Sequence, residues 1–82
     1  MAVFKTLDIR GQSFFNSLEL ASKALRDIKI NGILEVILDK KKNYLDEIKT
    51  WAATKGFRTS GVNEDSLMVR LFLERSKPRK TK

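Results

Sequence analysis

The run ILEVIL, Ile33 to Leu38, most constrains what this chain can fold into. Its residues are largely β-branched or branched aliphatic, and both of its faces are mostly apolar. That is the pattern of a buried central strand. Alternation puts Leu34, Val36 and Leu38 on one face and Ile33, Glu35 and Ile37 on the other. The chain around this strand has 82 residues, 41% of them hydrophobic. That is enough for one domain with a single two-layer core.

The flanking segments supply the other elements. Val3, Lys5, Leu7 and Ile9 alternate with Phe4, Thr6 and Asp8, which predicts a short strand ended by Gly11. Ser13 is a suitable N-cap for a first helix. Phe14, Leu18, Ala21, Leu25 and Ile28 follow on one helical face, and Asn31-Gly32 is expected to end that helix. After the central strand, Asp39 or Asn43 can cap a second helix. Leu45, Ile48 and Ala52 form its inner face, Tyr44 and Trp51 lie at its margins, and Gly56 ends it. Phe57–Val62 and Leu67–Leu73 read as two strands joined by the turn NEDS.

The order is β-α-β-α-β-β. Two parallel strands joined through a helix cross over right-handed, which places both helices on one face. The expected fold is therefore α+β, a two-layer sandwich with a four-stranded mixed sheet. Residues 1–75 form the domain. Residues 76–82, with Pro78 among basic neighbours, are expected to be a disordered tail.

Four segments resemble the TusA/SirA-like family: LDIRG at Leu7–Gly11, KAL at Lys23–Leu25, G-I-LEV at Gly32–Val36 and DEIKTWAATKGF at Asp46–Phe57. The resemblance runs from about Val3 to Glu74 and carries the same order of elements. It implies a sulfur-carrier fold. It also implies a reactive Cys-Pro-x-Pro motif opening the first helix, where the helix N-terminus favours a thiolate. The four corresponding positions here read Phe14-Phe15-Asn16-Ser17. In the family, the surface around the helix start docks the proteins that exchange sulfur. That docking is what the resemblance leaves to this chain once the cysteine is gone.

Composition closes off most chemistry. There is no cysteine and no histidine. This excludes disulfides, thiolate nucleophiles, Cys/His zinc sites and imidazole acid–base catalysis. Ser13 and Ser17 have no visible base beside them, and Ser13 suits a cap. Asp39, Asp46, Glu47, Glu64 and Asp65 fall at caps, helix surfaces and turns, with no constellation for metal or acid–base work. The chain is expected not to be an enzyme and to need no cofactor or metal. No apolar run approaches the ~20 residues of a membrane span. The first residues are charged too early for a secretory signal, so a cytoplasmic protein without membrane contact is expected.

Three surfaces remain as binding candidates. Phe14 and Phe15 form the first, with Arg10 beside them: either plugs over the family's active-site surface or an exposed handle for a protein partner. The second is the uncovered sheet face, where Ile33, Ile37, Met68 and Phe72 would look outward beside a Glu35–Arg70 pair. It suits a partner or weak self-association into a homodimer. The third is cationic. Arg10, Gln12, Lys40, Lys41 and Lys42 lie near two helix N-termini, where a small anion would suit. Lys77, Arg79, Lys80 and Lys82 lie on the tail. The net charge is +7, but residues 1–76 hold thirteen basic and ten acidic side chains, a net of +3. Nucleic-acid binding by the tail and the lysine-rich loop is thus an alternative to protein docking, as is an anion sensor. If the last strand is antiparallel to the rest, as the resemblance implies, tail and loop lie at opposite ends of the domain.

Overall fold

The computed structural model describes residues 2–40 and 44–77. Its elements run β1 (Ala2–Asp8), α1 (Phe14–Arg26), β2 (Ile28–Asp39), α2 (Leu45–Thr54), β3 (Phe57–Glu64) and β4 (Met68–Arg75). They form one four-stranded sheet in the order β1-β2-β4-β3. β1 and β2 are parallel, and β4 runs antiparallel to both β2 and β3. This is the α+β two-layer sandwich expected from the sequence.

The run Ile33–Leu38 sits at the centre of the sheet. Leu34 pairs with Leu73, Val36 with Leu71 and Leu38 with Val69. All six are essentially inaccessible to solvent. Ala24 and Leu25 from α1, and Ile48 and Ala52 from α2, pack on this layer in one cluster with Ile9, Ile28 and Phe57. Both helices therefore cover the same side. Small side chains at Ala21, Ala24 and Ala52 let the helix backbones approach the sheet closely. Leu7, Phe14, Leu18, Tyr44, Leu45 and Trp51 are partly buried around the rim of the core.

Several boundaries differ from the sequence expectation, each for a local reason. The first helix ends at Arg26, with Asp27 as C-cap, and not at Asn31-Gly32. Ile28 is the first residue of β2 and is fully buried there. The segment Ile28-Lys29-Ile30 is β-branched at both ends and suits a strand better than another helical turn. Asn31 still takes a left-handed conformation, φ 70°, but does so inside β2. Nearby, the β1–β2 register shifts between Ala2 and Phe4. The turn signal was real, and it marks an irregularity in a long strand.

Asp39 is not the cap of α2. Tyr44 occupies that position without a side-chain hydrogen bond. The Asp39 carboxylate instead accepts the Gly11 N–H at 3.2 Å, and Asn43 lies outside the described residues. Leu67 lies outside β4. The Asp65 carboxylate accepts the N–H groups of both Leu67 and Met68 at 2.8 Å. This Asx-type turn takes residues 65–67 out of the ladder, and Leu67 is 73% exposed. Gly56, at φ 85°, ends α2 as expected.

Two substitutions test this account by urea denaturation. Leu71→Ala should destabilise by about 2–5 kcal/mol, because it leaves a cavity in the fully buried layer. Asn31→Val should cost about 1–2 kcal/mol through the left-handed backbone alone, and Asn31→Gly should be nearly neutral.

Candidate functional site

The fold gives the sheet two dissimilar ends. β1 and β2 finish at one end, where both helices start and the β3–β4 turn closes. We call this the helix-start end. Both helices finish at the other, where β4 also terminates.

At the helix-start end, α1 opens from a capped turn. The Ser13 hydroxyl accepts the Asn16 N–H at 3.2 Å. Ser17, fully buried, donates its hydroxyl to the Ser13 carbonyl at 2.8 Å. Ser17 thus has a structural partner and is closed to solvent. Ser13 serves the cap.

Phe14 and Phe15 divide into opposite roles. Phe14 is half-buried and joins the core rim, with its ring 5.1 Å from that of Tyr44. Phe15 is 82% exposed, its ring 6.1 Å from that of Phe14. One turn of helix thus carries an anchored aromatic and a free one. The crevice beneath, lined by Ile9, Gly11, Gln12, Leu38, Asp39 and Tyr44, is too narrow to admit a water molecule. Leu67, in the β3–β4 turn, is the other strongly exposed apolar side chain at this end.

The described cations here already have partners. The Arg10 guanidinium donates through Nε and Nη2 to the Asp8 carboxylate at 2.7–3.2 Å. The Arg10 backbone N–H donates to the same group. The hydrogen-bonding guanidinium holds the Asp8 carboxyl below its ordinary pKa. Lys40 donates to the Asp65 carbonyl at 3.0 Å and lies 3.5 Å from the Glu64 carboxylate. It ties the end of β2 to the β3–β4 turn. Gln12 accepts a long hydrogen bond from the Asn16 amide. Lys41 and Lys42 lie outside the described residues.

The uncovered sheet face carries Ile33, Ile37, Met68 and Phe72, all partly exposed. Phe4 joins them at 55% exposure, paired with Ile33 across β1 and β2. The alternation of β1 already separated Phe4 from the inward-facing Leu7, but it could not say that β1 is an edge strand. Charged pairs are interleaved with these apolar groups. Arg70 lies 3.8 Å from Glu35 and Arg58 2.8 Å from Glu74. Glu35 also accepts the Thr6 hydroxyl at 2.9 Å. The face is a mosaic of apolar side chains and internally matched charges.

At the opposite end, Ser22, Leu25, Arg26, Lys55, Phe57 and Arg75 line a pocket of about 360 Å³. Sequence spacing did not reveal it, since its residues come from four separate elements. Lys77 is exposed just beyond β4. Arg79, Lys80 and Lys82 lie outside the described residues.

Among the described residues, no group of His, Cys, Asp or Glu is placed to hold a metal ion. No helix there is long and apolar enough to cross a membrane. No protein-family model matches the chain, and no curated protein matches it significantly.

The carboxyl geometry predicts pH behaviour. Asp8 is held low by Arg10, and Asp65 by the N–H groups of Leu67 and Met68. A carboxyl with a lowered folded pKa supports the fold above the ordinary aspartate value. That support is lost as pH falls through the lowered value. In a carbon-detected NMR titration, Asp8 and Asp65 should both titrate below the ordinary ~3.9. Arg10→Gln should move the Asp8 midpoint up clearly and that of Asp65 much less, because Arg10 hydrogen-bonds Asp8 and acts on Asp65 only through space.

Proposed function

We propose that this chain is a non-enzymatic, TusA/SirA-like interaction module that docks a protein partner on the surface where α1 starts. The observation that carries this reading is Phe15. It is a large aromatic, 82% exposed, on the first turn of a capped helix. Exposing such a ring in isolation gains nothing for the fold, and aromatic anchors dominate protein interfaces. Phe14 packs toward Tyr44 and braces the helix start, so Phe15 is presented from a rigid base. Its position coincides with the motif that, in the family this sequence resembles, carries sulfur to partner proteins. The cysteine that would do so is missing from the whole sequence. Docking without transfer fits both facts.

A specific observation favours a second reading, nucleic-acid binding. Arg26, Lys55, Arg75 and Lys77 gather at the end where the basic residues 78–82 continue the chain, and no ion pair engages them among the described residues. The two readings use opposite ends of the molecule and separate cleanly. Binding to phosphates weakens steeply with salt, whereas docking on an aromatic anchor does not.

A photo-crosslinking amino acid at position 15, with position 4 as control, tests the first reading in lysate. Adducts should form from position 15 and be competed by excess unlabelled wild type. Phe15→Ser should compete at least about tenfold less well, as expected for an interface anchor. Its stability should stay within about 0.5 kcal/mol of wild type. Equal competition by Phe15→Ser would remove Phe15 from the interface.

A further inference from the structure

The pocket where the helices end holds an unpaired charge on the wrong layer of the sandwich. In β4 the side chains facing the helices are Val69, Leu71 and Leu73, all buried. The next position in that row is Arg75, which pairs with the buried Phe57. The apolar layer thus finishes in a guanidinium that is partly buried. Its Nη1 donates to the Ile28 carbonyl, which fixes the side chain but leaves its charge uncompensated. No described carboxylate forms an ion pair with Arg75, Arg26 or Lys55; Asp27, which acts on Arg26 through space, is itself held by Lys5. Partly buried charge without a partner is unfavourable.

The rest of the pocket defines what would supply the missing charge. Arg26 stands in the last turn of α1, Lys55 is the C-cap of α2, and Ser22 offers a hydroxyl. The helix C-termini themselves favour cations, which accounts for Arg26 and Lys55 in part. It does not account for Arg75, which comes from a strand. Leu25 and Phe57, each 5% exposed, give the pocket an apolar floor. Its volume, about 360 Å³, lies within the ~300–1,000 Å³ typical of small-molecule sites. The chain's own residues 77–82 hold four cations and no acidic side chain, so they have the wrong charge to fill it.

We propose that this pocket binds a small phosphate monoester carrying an apolar, ring-sized group. Three cations and no lining carboxylate match a dianion better than a monoanionic carboxylate or phosphodiester. Arginine forks suit phosphate oxygens, and the hydroxyl of Ser22 adds a donor. The apolar floor accepts the group attached to the phosphate. This site is independent of the docking surface around Phe15, which lies at the far end of α1.

Phenyl phosphate is the probe, with inorganic phosphate, benzoate and an oligonucleotide lacking terminal phosphates as comparisons. Affinities are read by calorimetry, and the site by amide NMR shifts. Phenyl phosphate should bind at least about tenfold more tightly than inorganic phosphate, because burying the ring adds apolar contact. Shifts should centre on Ser22, Lys55 and Phe57. Lys55→Gln and Arg26→Gln, both at exposed helix ends, should each weaken binding by about tenfold. Phe15→Ser should leave it unchanged. Affinity should fall below pH ~6 as the phosphate loses its second charge. Absence of binding, equal affinity for inorganic phosphate, indifference to both substitutions, or equal binding of benzoate or the oligonucleotide would each overturn the proposal.

Discussion

Everything in this small domain hangs on the antiparallel pairing of β2 with β4. Their facing rows, Leu34, Val36 and Leu38 against Leu73, Leu71 and Val69, form a continuous sheet of branched aliphatic side chains. Each fully buried side chain of this kind contributes roughly 1.5–3 kcal/mol. Both helices bury their inner faces on the layer this pair builds, with Ile9 and Phe57 completing it at the margins. β1 and β3 are edges that each lean on one member of this pair. Neither edge would persist without it, since a lone two-stranded unit is marginal in water.

That dependence explains how charge is distributed. The core is thin, so polar groups close to it must be matched locally, and most of them are. Asp8 holds Arg10, Asp27 holds Lys5, Glu74 holds Arg58, and Asp39 and Asp65 accept backbone N–H groups. No buried side-chain nitrogen or oxygen among the described residues lacks a partner. These exposed pairs add little stability individually. Among the described residues, the Asp8–Arg10 and Lys40–Glu64 pairs match charge at the helix-start end, and the Glu35–Arg70 and Glu74–Arg58 pairs match it on the open sheet face. Among the described residues, the exposed apolar groups there include Phe15, Leu67 and Phe4, beside Asp46 and Glu47 in the first turn of α2, which carry no ion pair. At the opposite end the unmatched groups are cations.

The sequence made the fold legible because the strong signals were redundant. ILEVIL reads as a central strand, Ser13 as a cap and Gly56 as a helix stop, and each takes that place in the structure. It misled where one residue served two grammars. Asn31-Gly32 reads as a helix stop, yet three β-branched-rich residues before it had already begun a strand. Asp39 reads as a cap, yet its carboxylate reaches across to Gly11, a contact that local sequence cannot announce. For the site, the sequence pointed to Phe14 and Phe15 but could not divide them. That division depends on Tyr44, thirty residues away, which meets only one of the two rings. The cationic pocket was illegible for the same reason. Ser22, Arg26, Lys55 and Arg75 become neighbours only when two helices and the last strand end together.

α1 is the element that reaches both surfaces, and its rigidity determines whether they can communicate. Phe15 and Arg26 are eleven residues apart on it, about 16 Å at 1.5 Å per residue. A ligand at one end can influence the other only by favouring a second arrangement of the helix. The packing offers none. Ala21 and Ser17 are fully buried along the midpoint of α1, and Ala24 and Leu25 lock its last turn onto the sheet. Sliding such a surface by even a fraction of a turn would expose these groups and break the Ser17–Ser13 bond. A close-packed interface of this kind is not continuously deformable. The contact proposed at Phe15 and the anion pocket proposed at the far end of α1 would on this packing act independently.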